Sequence, residues 1–153
     1  MHSWSLRPLA IGVGFALAFG LGMLVRPVVP TQAAMMGPQP QIIHVKDLLD
    51  GTLPKIIPGL WGKTLAASPD YSVEAYQISS IAPHKHYNTI EFIYVVEGAA
   101  KGTLGNASAT VHAGDLEVLP KGVPHSFVGI GGPVKILFFS MPRFSAKDIH
   151  FVK

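Results

Sequence analysis

The 153-residue chain contains no cysteine. Disulfides, a lipid-modified N-terminal cysteine and thiol nucleophiles are therefore excluded, and the fold must be held by its core or by oligomerisation. No twin-arginine pair precedes the apolar N-terminal run, so a twin-arginine export route has no support. Positive charge is also scarce outside the leader. Of 12 Lys+Arg against 9 Asp+Glu, Arg7 and Arg26 fall in the first 41 residues, leaving 10 against 9, a formal charge of +1. The remaining lysines are scattered, with no basic cluster and no interleaved aromatics, so nucleic-acid binding is not expected. The sequence holds no G-x-S-x-G elbow and no P-loop, which disfavours a nucleophilic hydrolase. Past Gln41 there is no amphipathic pattern of helical length and no repeat at solenoid period.

What is present begins with an uncharged run, Leu9–Val25 "LAIGVGFALAFGLGMLV", behind a segment containing Arg7. It reads as a secretory h-region or a short hydrophobic membrane helix, at the lower limit of roughly 17–25 residues needed to span a bilayer. Thr31 and Ala33 offer small residues for a cleavage site, but Arg26 and two prolines intervene. Residues 1–25 are thus expected to be a signal peptide or a membrane anchor. Residues 26–41, with four prolines and one glycine, form an extended linker. A folded domain is expected over 42–153, exported to the periplasm, secreted, or held on the outer side of the inner membrane.

Within that domain, strand signals dominate. Ser72–Ile78, Thr89–Glu97, Ser108–His112, Leu116–Leu119, His125–Gly129 and Val134–Ser140 are short, rich in β-branched and aromatic residues, and punctuated by Gly, Pro, Asn or Asp. Gly105-Asn106 fits a two-residue hairpin with glycine first. The pattern is all-β, a sandwich or barrel. Thr89–Glu97 is apolar on both alternating faces, so its outer face is expected to be covered, by a second sheet or by a partner subunit, unless a bulge breaks the alternation.

Histidines 84 and 86 are two apart in a strand-like stretch, so they project to one face. Alone, that pair fits two solvated histidines as well as half a metal site. The wider spacing is more informative. Four residues separate His86 from Glu91 and six separate Glu91 from Gly98. Downstream, Gly114, Pro120, Gly122 and His125 follow with gaps of five, one and two residues. This pattern resembles the two motifs of the cupin superfamily, G-x5-H-x-H-x4-E-x6-G and G-x5-P-x-G-x2-H-x3-N. Eight of the ten fixed positions match; Ile78 stands where the first Gly would be and Gly129 where the last Asn would be.

The resemblance implies a cupin jelly-roll β-barrel of two antiparallel sheets, preceded by the N-terminal hydrophobic helix. It also implies a metal site formed by His84, His86, Glu91 and His125. Three imidazoles and one carboxylate suit Fe, Mn, Ni, Zn or Cu and can leave coordination positions open for substrate. The implied function is that of a small-molecule metalloenzyme, a dioxygenase or an isomerase, decarboxylase or lyase. The alternatives are a non-catalytic binding module for a sugar, an organic acid or a metal, and a membrane-tethered structural subunit. A small-molecule ligand and a homodimer are the expected partners.

Further residues are candidates for the surroundings of the site. Tyr76, Tyr94, Glu97 and Lys101 are polar residues on nearby strands, and Lys85, Tyr87 and Asn88 edge the ligand segment. Phe127, Phe138 and Met141 are expected to be core residues that could line an apolar cavity. His2, His44, His112 and His150 are read as solvated, and Gly98, Gly114 and Gly122 as turn residues.

Overall fold

A computed structural model describes residues 38–152. The apolar run Leu9–Val25, its expected helix and the linker as far as Gly37 lie outside the described residues. Among the described residues, no helix is long and apolar enough to cross a membrane.

Eleven strands form two antiparallel sheets. The strands are β1 (Lys55–Ile57), β2 (Leu60–Ala67), β3 (Ser72–Ile78), β4 (Ser80–Lys85), β5 (Ile90–Glu97), β6 (Ala99–Leu104), β7 (Ala107–His112), β8 (Leu116–Leu119), β9 (His125–Gly129), β10 (Val134–Met141) and β11 (His150–Phe151). One sheet has the order β1-β2-β3-β10-β5-β8 and the other β11-β4-β9-β6-β7. This is the jelly-roll expected from the sequence, with β1, β2, β4, β6 and β11 in addition to the six strands read from it.

Period-two alternation builds the barrel core. On β10, Val134, Ile136, Phe138 and Ser140 point inward and are buried. Their partners on β3 are Ile78, Tyr76, Glu74 and Ser72, which share the same inner face. From β5, Glu91, Ile93 and Val95 join them. Phe127 and Ala100 close the core from the opposite sheet.

The outer face of the first sheet is covered in part by a helix that the sequence pattern does not announce, rather than by the expected second sheet. Helix α1 (Val45–Asp50) is six residues long, too short to display helical periodicity. Its Leu49, with Leu53, packs on Ala75, and Trp61, Leu65, Val96 and Leu137 surround this second cluster. Lys46 and Lys135 bridge Asp50 and Glu97 at 2.6–3.2 Å, which ties the helix to β5 and β10. The doubly apolar β5 is thus explained in part: Val96 lies under the helix segment, while Ile90 and Tyr94 stay exposed.

Two glycines carry particular weight. Gly105, with φ of 61°, opens the two-residue turn between β6 and β7 that the sequence predicts. Gly129 departs from the motif's asparagine because a Cβ there would collide with the carbonyl oxygen of Gly132. The other departure, Ile78, is a buried core residue that lines the barrel cavity.

Candidate metal centre

Strand β4 presents His84, and the chain then leaves the strand at His86 before turning into β5, which presents Glu91. His125 is the first residue of β9 and pairs directly with His84 across the sheet. A turn between β8 and β9 delivers it. In that turn Gly122 adopts φ of 79°, and its N–H donates to the His86 carbonyl at 2.6 Å, so the two ligand-bearing segments are joined by backbone.

The four side chains converge inside the barrel. His84, His86, Glu91 and His125 are all at most 5% exposed. Ring centroids of His84 and His125 are 4.2 Å apart, those of His84 and His86 5.0 Å, and those of His86 and His125 5.4 Å. One nitrogen from each of the three histidines falls within 4.8 Å of the others, close enough to share one ion. Glu91 stands against two of them: its Oε1 is 3.1 Å from His86 Nε2 and its Oε2 is 3.3 Å from His125 Nε2.

The protonation pattern decides what this cluster suits. His84 Nδ1 lies 2.8 Å from the Ala82 carbonyl oxygen, and His125 Nδ1 lies 3.2 Å from that of Val123. A carbonyl only accepts, so both Nδ1 atoms carry a hydrogen, which leaves Nε2 of each ring as the atom available to an ion. His125 Nε2 faces Glu91. Burial, reinforced by the neighbouring His125, lowers the His84 pKa to about 4, and burial also lowers that of His86 against the pull of Glu91. Both are therefore neutral near pH 7. Both Glu91 oxygens are buried without a hydrogen-bond donor. A buried carboxyl group whose oxygens have no hydrogen-bond partner is costly unless a cation lies beside it. The donor set fits a divalent transition metal, with His84 and His125 held in the ligating tautomer by backbone carbonyls.

A cavity of about 170 Å³ opens beside the cluster. Tyr76, Phe127 and Phe138 from the sequence-derived candidates line it, and Met141 does not. The other candidates lie elsewhere. Tyr94 and Lys101 are exposed on outer faces, and Glu97 is engaged by Lys46 and Lys135. Lys85 extends over the Tyr87 ring, and Asn88 is bound to Asp148. His44, His112 and His150 are exposed, whereas His2 lies outside the described residues.

Sequence reading missed the C-terminal segment. Phe144, Ala146, Ile149 and Phe151 line the cavity, and Phe151 pairs with His84 along β11. Between them Asp148, in a 3-10 turn (Ala146–Asp148), is 5% exposed. It accepts from the N–H groups of Tyr87 and Asn88, from Asn88 Nδ2 and from Thr89 Oγ1. Desolvation works to raise its pKa, but these bonds outweigh that and hold it below the usual carboxylate range. Asp148 thereby fixes the loop that links His86 to Glu91. A lone aspartate near a C-terminus gives no sequence signal for such a role; only the chain reversal shows it.

Comparison with known proteins agrees with this architecture. Residues 74–140 match the Cupin domain family. An uncharacterized protein of Methanocaldococcus jannaschii is 38% identical over 71 residues, a match that covers 46% of this chain and 57% of the length of that relative. The structure of KdgF from Halomonas sp. superposes with a TM-score of 0.59 at 23% identity, covering 64% of this chain and 92% of that one. Pac13, a nucleoside dehydratase whose variants were solved from Streptomyces with uridine, superposes with a TM-score of 0.55 at 17% identity, covering 62% of this chain and 79% of that one. The domain match, the two-sheet jelly roll and these neighbours together support placing the described fold in the cupin superfamily.

Proposed function

We propose that this protein is an exported, metal-dependent cupin that acts on a small molecule, as a dioxygenase or as an isomerase, decarboxylase or lyase. The observation that carries the reading is the buried Glu91 side chain, whose oxygens have no hydrogen-bond partner and stand against His86 and His125 beside a cavity. His84, His86, Glu91 and His125 would hold the ion. When bound, it would supply Lewis acidity, and with iron, access to dioxygen chemistry. The chain's own contribution is to orient the ligand, exclude water and offer a proton at Tyr76. Tyr76 lines the same cavity, and burial raises its pKa so that it stays protonated. Pac13, a dehydratase on the same fold, is in keeping with an enzyme.

Elemental analysis of the purified full chain tests this reading. About one transition-metal ion per chain is expected, lost in His84→Ala/His86→Ala and kept in His112→Ala. No ion, even after reconstitution with several divalent metals, would overturn it.

A second reading is a non-catalytic binding module. It draws support from the cavity lining, in which Tyr76 is the one titratable side chain outside the four-residue cluster. Turnover assays on the metal-loaded protein separate the two. Export rests on the run Leu9–Val25, which would also anchor a membrane-tethered subunit if uncleaved; fractionation and N-terminal sequencing check both. A homodimer is favoured by the outer face of β5, β8 and β10, where Ile90, Tyr94, Leu116, Val118 and Met141 are exposed beside the sheet edge at β8. Leu116→Glu should halve the solution mass.

A further inference from the structure

The cavity's chemistry narrows what it can hold. Around the four-residue cluster, its lining is almost wholly isoleucine and phenylalanine, with Leu60 and Ala146. Among the described residues, no lysine, arginine, serine, threonine, asparagine or glutamine lines it, and Tyr76 adds one hydroxyl. Lys85, the cation nearest in sequence to the cluster, is turned to the Tyr87 ring. A carboxylate or phosphate ligand would find no cationic side chain in the lining, and a sugar would leave most of its hydroxyls unpaired.

Two further observations point the same way. The volume, about 170 Å³, is close to that of the engineered cavity of about 150 Å³ lined by Leu, Ile and Phe that takes benzene. It matches a single six-membered ring with a small substituent. The mouth is apolar as well. Ile56 and Ile57 on one side and Phe151 on the other line the cavity while remaining 41–66% exposed. Exposed large apolar residues around an opening favour entry of an apolar ligand.

We propose that the site takes a neutral, compact, apolar molecule of about one ring, carrying one or two oxygens at the end that meets the histidine cluster and Tyr76. Sugar acids and nucleosides are poor fits. The inference rests on the proposed metal-site reading only for this polar end; the apolar enclosure is independent of it.

Calorimetric titration of the full chain, metal-loaded and after chelation, tests the proposal with phenol, D-galacturonate and uridine as probes. Phenol should bind with a dissociation constant of about 1 mM or tighter. Uridine and galacturonate should bind at least ~10-fold more weakly, the factor expected for one unpaired hydroxyl. Ile81→Phe, which fills space at the half-buried wall, should weaken phenol at least ~10-fold while leaving the bound metal unchanged. Phe144→Ala, which removes a wall ring from an irregular segment, should weaken it several-fold and serves if the first variant folds poorly. Galacturonate or uridine binding as tightly as phenol, no phenol binding, or phenol binding indifferent to both variants would overturn the proposal. Phenol binding in a chain that takes up no metal even on reconstitution with several divalent ions would sustain it while sinking the metal reading.

Discussion

Asp148 offers the sharpest test of how the site is built. Asp148→Asn keeps the shape but replaces one acceptor oxygen with an NH2 group. In the structure, Oδ1 accepts from Tyr87 N at 3.1 Å and Asn88 Nδ2 at 3.0 Å, and Oδ2 accepts from Asn88 N at 3.0 Å and Thr89 Oγ1 at 2.8 Å. Either orientation of the amide turns donors against donors at one of these pairs. The charge that strengthens the remaining bonds is lost as well. Tyr87 is half exposed and can recover a bond to water, but Thr89 is 3% exposed and Asp148 5%. Because the Thr89 hydroxyl can rotate to accept from the amide, at least one charge-assisted bond is lost without replacement, a cost of about 2 kcal/mol, or roughly 8 °C in Tm for a domain of this size. The freed loop carries His86 at one end and Glu91 at the other, so bound metal should fall with stability. Circular-dichroism melts and elemental analysis of the full chain measure both. Thr89→Val alone should cost about 1 kcal/mol, and the double variant should cost less than the sum because the two share a bond. A Tm within ~2 °C of wild type with full metal content would refute the assigned role.

Other outcomes follow from the same geometry. His84 has its folded pKa lowered from 6.5 to about 4, so the metal-free protein should lose stability as pH falls from 6.5 through 4, by about 3 kcal/mol. Denaturant titrations in chelator at pH 7, 5.5 and 4 check this, and a flat profile would contradict the burial of a neutral imidazole. The same protonation should release metal in mild acid, because only neutral histidine coordinates. His125→Ala should abolish metal retention at pH 7 while the exposed His112→Ala leaves it intact; equal retention would remove His125 from the ligand set. Gly102→Ala should destabilise by more than about 3 kcal/mol, or fail to fold, since its Cβ would meet the Ser126 carbonyl of the paired strand β9. A soluble variant with near-native Tm would show that β6 and β9 can separate.

The sequence by itself determined the strand character, the two-sheet class and the grouping of the site. Alternation in Val134–Ser140 and glycine-first chemistry at Gly105 are local signals, and local signals survive without knowledge of the fold. The spacing of His84, His86, Glu91 and His125 carried a resemblance specific enough to bring four distant residues together, and the structure does so within one buried cluster.

Tertiary structure decided what has no local signal. Helix α1 is too short for periodicity and exists because Leu49 and Leu53 find a sheet to cover. Which faces of β5 are buried depends on the barrel core on one side and α1 on the other, not on the strand's own doubly apolar pattern. The tautomers of His84 and His125 are set by the carbonyls of Ala82 and Val123, whose directions are fixed only by the folded backbone. Asp148 meets the His86–Glu91 loop across some 60 residues of chain, and the cavity's polarity is the sum of side chains from both sheets. The Asp148 contacts and the cavity lining are non-local pairings that arise from chain reversal, and no short window of sequence contains all their partners.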